Sequence, residues 1–343
     1  MRIGIIVRSD NTGLGNQTRE LTKMLNPDKV MLIDFSNFNH NAQHPEWYRG
    51  YNITNIRGIP NTAQIKRFLQ GLDVVISCET FYNDDLMILA QRVGVKTVLQ
   101  YNYELFGNLQ NHRMPLPDVL IAPSKWNMDD IEFLFGDKAK VVHIPPPTDK
   151  KKFLEAREVN TSKKHKRILH IGGKAAAMDR NGTDSIIEML KYSKADYELV
   201  IKTQSKLKIE CNDPRLTIDN GNPDNEADMY VGFDAMVLPR RYAGLCLPMN
   251  EALMSGLPVF MTDISPNHFI LPSEWLTEAS VIDLVRTKKP VDVYNVDPAK
   301  LAKLIDDYVE SDQTEAKQMA IRIAEDNFLA DNLVHKYLEV FGE

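Results

Sequence analysis

The segment Val237–Asp263 carries the residue pattern with the clearest chemical meaning in this chain. A short apolar strand is followed by a loop with Arg240 and Arg241, then by Gly244 and by a proline where a helix would begin. The backbone N–H groups and dipole of a helix start bind anions such as a diphosphate, and glycine allows a close backbone approach. Glu251 lies one turn into the predicted helix, where its carboxylate can accept hydrogen bonds from a ribose diol.

Further cations follow the ends of two other predicted strands. Gly173, Lys174 and Arg180 come after the strand that starts at residue 167, and Lys202 stands at the end of the next one. A phosphate clamp requires positive charge at strand ends, so we expect at least one of these cations to contact phosphate. The alternative for each is a solvated surface cation.

A glycine-containing segment, Ser9–Asn16, follows the first apolar strand of the chain. Its Gly13 and Gly15 begin a GxGxxG dinucleotide fingerprint, but Thr18 stands at the third glycine position. The fingerprint is therefore incomplete. The segment is compatible with a loop that faces a phosphate and with an ordinary tight turn.

Candidates for proton transfer follow two other buried strands. Glu79 comes after the strand at residues 72–77, and Tyr101 and Glu104 come after the strand at residues 95–100. A carboxylate or a phenol at such a position can bind or deprotonate a substrate hydroxyl. Each side chain is equally compatible with a structural hydrogen bond.

Composition sets wider limits. The chain has 343 residues, of which 43% are hydrophobic and 26% charged, as is typical of a globular protein with about two domains. The three cysteines are widely spaced, so we expect neither disulfides nor a zinc cluster, and a cytoplasmic location fits. No apolar run approaches the roughly 20 residues that span a bilayer. No DxD sequence stands at a predicted strand end, so no required metal is expected.

The predicted elements alternate between strands and helices, and the alternation runs twice. Pro145–Pro147 end the first block, and the second starts at Arg167, after a basic stretch that we interpret as a solvated linker. Residues 16–25 are predicted to be helical, as are residues 125–135 with Ser124 as the N-cap. Such alternation predicts two doubly wound parallel sheets, with ligands at the carboxyl ends of the strands.

The stretch Ala243–Val259 resembles the donor-binding signature of GT-B glycosyltransferases of family 4, roughly E-G-F-G-L-P-x-x-E-A-x-x-x-G-x-P-V. Residues 116–153 closely resemble the end of the family's acceptor domain, and residues 167–183 are more loosely similar, so that the resemblance extends over most of the chain. It implies an α/β protein of the GT-B fold, with two Rossmann-like domains facing a central cleft. The implied domains are an acceptor-binding domain, a donor-binding domain and a C-terminal helix that packs back on the first domain, at residues 1–150, 151–326 and 327–343.

The resemblance also implies roles for individual residues. Glu251 would bind the nucleotide ribose, and the amides around Gly244, Leu245 and Cys246 would meet the donor diphosphate or sugar. Where the family has a glutamate that contacts a donor-sugar hydroxyl, this chain has Ala243, which points to an unusual donor, such as a pentose, or to weakened catalysis.

The resemblance also implies phosphate-binding roles for cations and glycines outside this stretch. The arginine and lysine with which the family grips the pyrophosphate fall near Gly173 and near residues 181–182, so that Lys174 and Arg180 are the nearest cations. Gly13 and Gly15 would face the donor sugar phosphate.

The implied activity is that of a retaining glycosyltransferase without a cofactor. A nucleotide-diphosphate sugar, with UDP favoured, would donate its sugar to the hydroxyl of a glycan or lipid-linked glycan. A hydroxymethylated base of viral DNA is an alternative acceptor, because residues 1–150 carry no net charge and the whole net charge of −6 falls on residues 151–343. A non-catalytic nucleotide-sugar-binding protein and a nucleotide-sugar epimerase are the other classes left open. The sequence does not indicate an oligomeric state.

Overall fold

The chain forms two compact units. The computed structural model describes residues 1–36, 42–108, 116–173, 179–204, 211–221, 223, 225–242, 244–286 and 289–342. Met1–Pro147, Thr287–Lys289 and Ala330–Glu343 belong to the first unit, and Thr148–Arg286 and Pro290–Leu329 belong to the second.

Seven strands form the sheet of the first unit. In chain order they are β1 (Ile3–Arg8), β2 (Lys29–Asp34), β3 (Ile53–Arg57), β4 (Val74–Cys78), β5 (Lys96–Gln100), β6 (Val119–Ala122) and β7 (Lys140–His143). Their order across the sheet is β3-β2-β1-β4-β5-β6-β7, and all neighbouring strands are parallel. The chain adds strands in opposite directions from β1 and β4, so the switch point of the sheet lies between these two strands.

Four helices follow strands of this sheet, namely α1 (Gly13–Leu25), α2 (Thr62–Leu69), α3 (Asp85–Val93) and α4 (Met128–Phe135). The chain's last helix, Ala330–Gly342, belongs to the same unit. Its buried Tyr337 hydroxyl accepts a hydrogen bond from the Gln100 amide, at 3.1 Å, and the Lys96 amine donates to the Val340 carbonyl. Strand β5 therefore contacts a helix that is distant in sequence.

Two predicted helix starts differ from the structure. Helix α1 begins at Gly13 rather than at residue 16, because the Thr12 side chain caps it by accepting from the Gly15 amide. The prediction of Ser124 as an N-cap is wrong. Helix α4 begins only at Met128, after Asn127 in the left-handed conformation, and the Ser124 hydroxyl accepts from the Trp126 amide instead.

Six parallel strands form the sheet of the second unit. They are β8 (Arg167–Gly173), β9 (Glu198–Thr203), β10 (Leu216–Asn220), β11 (Ala235–Leu238), β12 (Val259–Thr262) and β13 (Leu276–Thr277), in the order β10-β9-β8-β11-β12-β13. The switch point here lies between β8 and β11. A separate antiparallel hairpin consists of β14 (Ala279–Arg286) and β15 (Pro290–Val296). The prediction of two doubly wound parallel sheets is therefore confirmed.

The remaining helices are α5 (Lys150–Ser162), α6 (Thr183–Met189), α7 (Leu247–Met254), α8 (Pro298–Glu310), α9 (Thr314–Phe328) and α10, the C-terminal helix named above. The interpretation of residues 150–167 as a linker is wrong for α5, which buries Phe153, Ala156 and Asn160. The lysines on its other faces masked this sparse apolar stripe. Lys150, for example, pairs with Glu325 at 2.7 Å.

A buried acid anchors the two strands at the switch point of the second unit. The Asp234 carboxylate accepts from the amides of His165 and Lys166, which lead into β8, and from the Lys317 amine at 2.8 Å. Asp234 and Lys317 are 1% and 4% exposed. Because breaking a buried ion pair costs about 3–5 kcal/mol, this contact holds the starts of β8 and β11 in fixed positions.

Candidate functional site

The loops after β8 and β11 meet at the switch point of the second unit. The Arg241 amide donates to the Arg180 carbonyl at 2.9 Å, which joins the two loops directly. Gly182 has a φ of +75°, and a Cβ there would lie 2.2 Å from the Pro239 carbonyl oxygen. The loops approach this closely only because residue 182 is a glycine.

Arg240 is a buried cation in this place. It is 5% exposed, and its guanidinium donates to the carbonyls of Gly244 and Leu245 at 3.4 and 3.3 Å. Its Nε has no hydrogen-bond partner, and no carboxylate within the described residues pairs with it. A buried charge without a counter-charge is costly, so the geometry favours an anion as its partner.

The other predicted phosphate-binding cations have different surroundings. The Arg180 guanidinium lies over the Tyr242 ring, 4.8 Å from its centroid. Lys202 is half-buried and is already engaged by the protein, because its amine pairs with Asp219 at 3.7 Å and donates to the Asp228 carbonyl. Burial lowers the pKa of the Lys202 amine. Lys174 and Ala243 lie outside the described residues.

Gly173 ends β8 with a φ of +67°, and its carbonyl accepts from the Thr203 hydroxyl at 2.9 Å. Gly244 has a φ of +128°, which favours glycine, and it precedes Cys246, the N-cap residue of α7. The predicted order of loop, glycine and helix start is thus present beside Arg240. Its amides are the groups that a diphosphate would approach.

Glu251 lies one turn into α7, and a buried tyrosine holds it. The Tyr230 hydroxyl donates to Glu251 Oε2 at 2.5 Å. Tyr230 is fully buried, and burial together with the Glu251 charge raises the pKa of its hydroxyl well above the usual range. The tyrosine therefore stays protonated and fixes one oxygen of the Glu251 carboxylate.

The switch point of the first unit carries carboxylates instead. Glu79 follows β4, with its backbone at φ +63°, and its Oε1 accepts from the Asn102 amide at 2.6 Å. Burial, and next the charge of Glu104, raise the pKa of Glu79, while Arg8 opposes them. The structure therefore places Glu79 and Glu104 near each other. A raised pKa suits a carboxyl group that exchanges protons.

Arg8 is the last residue of β1, Asp10 lies two residues further, and the charges of both act on Glu79. They form an ion pair, and the Thr12 hydroxyl donates to Asp10 at 2.6 Å. The Arg8 guanidinium also lies 5.5 Å from the Phe35 ring centroid. Asp10 is 1% exposed, so we assign it to holding Arg8 and the start of α1 rather than to substrate contact.

The remaining candidates of the first unit have structural surroundings. Tyr101 is 2% exposed, and its ring packs edge-on against Phe106 at 5.0 Å. Burial raises the pKa of its hydroxyl, which favours the structural interpretation. Gly13 and Gly15 lie in the first turn of α1 rather than in a loop, and a Cβ at Gly15 would lie 1.8 Å from the Asp10 carbonyl oxygen.

Sequence reasoning missed four side chains of these two places. Arg8 ends a strand of the switch point and Asp10 lies two residues after it, so their position was a usable signal. Asn102 stands beside Tyr101 and could have been found in the same way. Tyr230 gave no signal, because only the fold brings it to Glu251 across 21 residues of sequence.

Two further observations concern the described residues alone. They contain no group of three histidine, cysteine, aspartate or glutamate side chains arranged to hold a metal ion. None of their helices combines the length and the apolar character that crossing a membrane requires.

Comparison with known proteins places the fold. No protein-family profile matches the sequence, and no curated protein sequence matches it significantly. Among solved structures, HepE of Anabaena in complex with UDP and glucose is similar with a TM-score of 0.69, at 11% identity over 100% of this chain and 99% of that one. Sucrose-phosphate synthase from Thermosynechococcus elongatus gives 0.66, at 13% identity over 99% and 98%. A glycosyltransferase from Rickettsia africae ESF-5 gives 0.68, at 14% identity over 99% and 97%.

These similarities extend over nearly the whole of each chain, at identities far below those that show a shared activity. They show the fold, which is the GT-B fold of glycosyltransferases. The fold that the sequence resemblance implied is therefore confirmed.

Proposed function

We propose that this protein is a glycosyltransferase that takes a UDP-sugar as its donor. The observation that carries the proposal is the buried Arg240 guanidinium, which has no carboxylate partner in the described part of the chain and lies at the switch point of a GT-B sheet. A diphosphate supplies the missing negative charge. The HepE structure of the same fold holds UDP and glucose, which supports uridine diphosphate as the carrier.

The donor site lies in the second unit. Arg240 and the cations near it, Arg180 and Arg241, bind the diphosphate together with the amides after Gly244. Glu251, whose carboxylate is held by the Tyr230 hydroxyl, binds the ribose diol. Because the charge that develops on the leaving diphosphate meets fixed cations and amides, no metal is required for its departure.

The acceptor hydroxyl is activated in the first unit. Glu79 has the raised pKa and the fixed orientation that a proton acceptor needs, and Glu104 is its neighbour. We propose transfer with retention, in which the hydroxyl attacks the face of the sugar that the diphosphate leaves. Closing the site against water favours transfer over hydrolysis.

The acceptor is a glycan or a lipid-linked glycan. Among the described charged groups that act on Glu79, the carboxylates of Glu104 and Asp10 outnumber the cation Arg8. Sugar hydroxyls donate readily to carboxylates, whereas the phosphates of a DNA acceptor would be repelled. The charges of the first unit therefore favour a carbohydrate over a modified DNA base.

The test is UDP binding and sugar transfer by the wild type and by Glu251→Ala. Loss of a charged hydrogen-bonding group that meets two ribose hydroxyls weakens UDP about 100-fold, from hydrogen bonds worth about 1.5–3 kcal/mol each. Calorimetry measures the dissociation constant, and mass spectrometry of glycan acceptors measures transfer. Glu155→Ala, an exposed glutamate of α5, is the matched control and keeps wild-type affinity.

Two outcomes would contradict the proposal. Equal UDP affinity in the wild type and in Glu251→Ala would remove Glu251 from the donor site. If the protein binds a UDP-sugar but neither transfers the sugar to any glycan nor hydrolyses it, the protein is a non-catalytic nucleotide-sugar-binding protein.

A further inference from the structure

A second concave site lies at the opposite edge of the first unit's sheet from Glu79. Arg2, Asp73 and Val95 line a cavity of about 810 Å³, and they directly precede β1, β4 and β5. In a parallel sheet, residues before the strands and residues after them lie at opposite edges, about 16 Å apart for strands of five residues. The cavity is therefore separate from the proposed acceptor site.

Cations dominate the wall of this cavity. Lys66 and Arg67 come from the last turn of α2, Arg92 comes from the last turn of α3, and Arg2 completes the set. Among the described residues, Asp73 is the one carboxylate of the lining. It already accepts from the Arg2 backbone amide and pairs with the Arg2 guanidinium. Within the described residues, Lys66, Arg67 and Arg92 form no ion pair and no hydrogen bond.

Helix dipoles do not account for these cations. Basic residues in the last turn of a helix are often explained by the carbonyl oxygens at its end. Here the Lys29 amine already donates to the carbonyls of Phe68 and Gln70 at the end of α2. At the end of α3, the amides of Gly94 and Val95 donate to the carbonyls of Gln91 and Ala90. The three cations are left to face the cavity.

The floor of the cavity is apolar, because Leu69, Leu72 and Leu89 line it beneath the cations. Gly71 and Gly94 stand in the lining without side chains. A cavity of this size falls in the range of sites for small molecules, about 300–1,000 Å³. Cations above an apolar floor match a ligand with a phosphate group and an apolar body.

We propose that this cavity is a second, non-catalytic site that binds a soluble phosphate ester of nucleotide size. The phosphate meets Lys66, Arg67 and Arg92, and the remainder of the ligand rests on the leucine floor. The site belongs to the first unit alone and does not depend on the function proposed for the second.

The experiment titrates the full-length protein with inorganic pyrophosphate alone, because UDP is itself a phosphate ester of nucleotide size and would compete for the cavity. Any binding in the second unit is common to the wild type and the variants below, so a difference between them reports the cavity. The wild type is expected to bind. Arg67→Glu and Arg92→Glu are each expected to weaken binding at least about tenfold, since each replaces an attraction by a repulsion. Both side chains are exposed and form no hydrogen bond, so both variants should unfold at the wild-type temperature.

Lys138→Glu is the matched control, because it makes the same change of charge at an exposed lysine outside the cavity. It should bind pyrophosphate like the wild type. The proposal fails if wild-type protein does not bind pyrophosphate, or if Arg67→Glu and Arg92→Glu bind as well as Lys138→Glu. Binding to vesicles of phosphatidylglycerol without binding to pyrophosphate would also overturn it, since the ligand would then be a membrane surface.

Discussion

The sheets of the two units have corresponding switch points, but the candidate side chains at these switch points differ in charge. In the first unit the loops after β1 and β4 carry Asp10 and Glu79, and in the second the loops after β8 and β11 carry Arg180 and Arg240. The strand orders on both sides of the two switch points correspond. The sheet therefore determines where chemistry occurs, and the loops determine which chemistry it is.

The backbones of both switch points contain left-handed residues. In the second unit these are Gly173 and Gly182, together with Asp179 at a φ of +46°. In the first unit Glu79 and Tyr82 adopt φ values of +63° and +64° with side chains in place. That conformation costs about 1–2 kcal/mol for a residue with a Cβ, so the first unit accepts strain where it needs a side chain.

The largest effect is expected from Glu79→Gln, which tests the role of the carboxylates at the switch point of the first unit. A general base contributes about 10² to 10⁴ in rate, so kcat/KM for transfer should fall by that factor. UDP affinity, which depends on the other unit, should not change. Steady-state kinetics and calorimetry on the same preparation measure the two quantities.

The pH dependence sharpens the same test. Only the ionised Glu79 accepts a proton, and burial raises its pKa above the usual 4.5. Transfer by the wild type should therefore fall on the acid side at a pH above that value, and Glu79→Gln should lack this limb. Asp84→Asn removes an exposed charge from the same loop and should keep the full profile. If the activity of Glu79→Gln still falls at acid pH as that of the wild type does, another residue is the general base.

The same raised pKa predicts how Glu79→Gln folds. A carboxyl whose pKa is higher in the folded state stabilises the protein below its unfolded-state pKa, and this stabilisation is lost as the pH rises through the folded-state pKa. At neutral pH the glutamine variant should thus be at least as stable as the wild type. Loss of activity would then not reflect unfolding.

The sequence predicted the fold well because buried strands are continuous apolar runs, and strands such as Val74–Cys78 are recognisable without context. It also predicted the local strand–loop–helix pattern that holds Arg240 and Glu251, which the structure contains. Contacts between distant segments were not predictable. The approach of Tyr230 to Glu251 and of Gly182 to Pro239 arises from packing rather than from local preference.

An intermediate effect is expected from Gly15→Ala and Gly182→Ala, which test the close backbone approaches of the two units. A Cβ would meet the Asp10 carbonyl in one and the Pro239 carbonyl in the other, at 1.8 and 2.2 Å. Such overpacking costs about 1–3 kcal/mol of unfolding free energy. Thermal denaturation of each variant measures the loss.

Gly13→Ala is the control for both variants, since a Cβ at Gly13 has no heavy atom within 4 Å. Alanine is the better helix former by about 1 kcal/mol, so this variant should be as stable as the wild type or more stable. If all three variants unfold alike, the loop contacts at Gly15 and Gly182 do not constrain the backbone.

The smallest effect is expected from Tyr230→Phe. This variant tests what the orientation of the Glu251 carboxylate contributes, as distinct from its charge. Glu251 keeps its charge in this variant and loses one fixed donor, so UDP should weaken only about tenfold, far less than in Glu251→Ala. The decisive ligand is 2′,3′-dideoxy-UDP, which lacks the ribose diol. Its affinity should be the same in the wild type and in Tyr230→Phe, because the tyrosine acts only through the carboxylate that meets the diol.

The control for this variant is Tyr308→Phe, which removes another buried hydroxyl of the second unit, the donor to the Asp234 carbonyl at 2.8 Å. It should lower the unfolding temperature without altering the preference for UDP over the dideoxy ligand. If Tyr230→Phe behaves in the same way, Tyr230 only stabilises the fold, and the precision of the donor site must come from α7 alone. If the preference shrinks in Tyr230→Phe alone, the second unit orients its ribose-binding carboxylate with a protonated phenol, as the first unit orients Glu79 with the amide of Asn102.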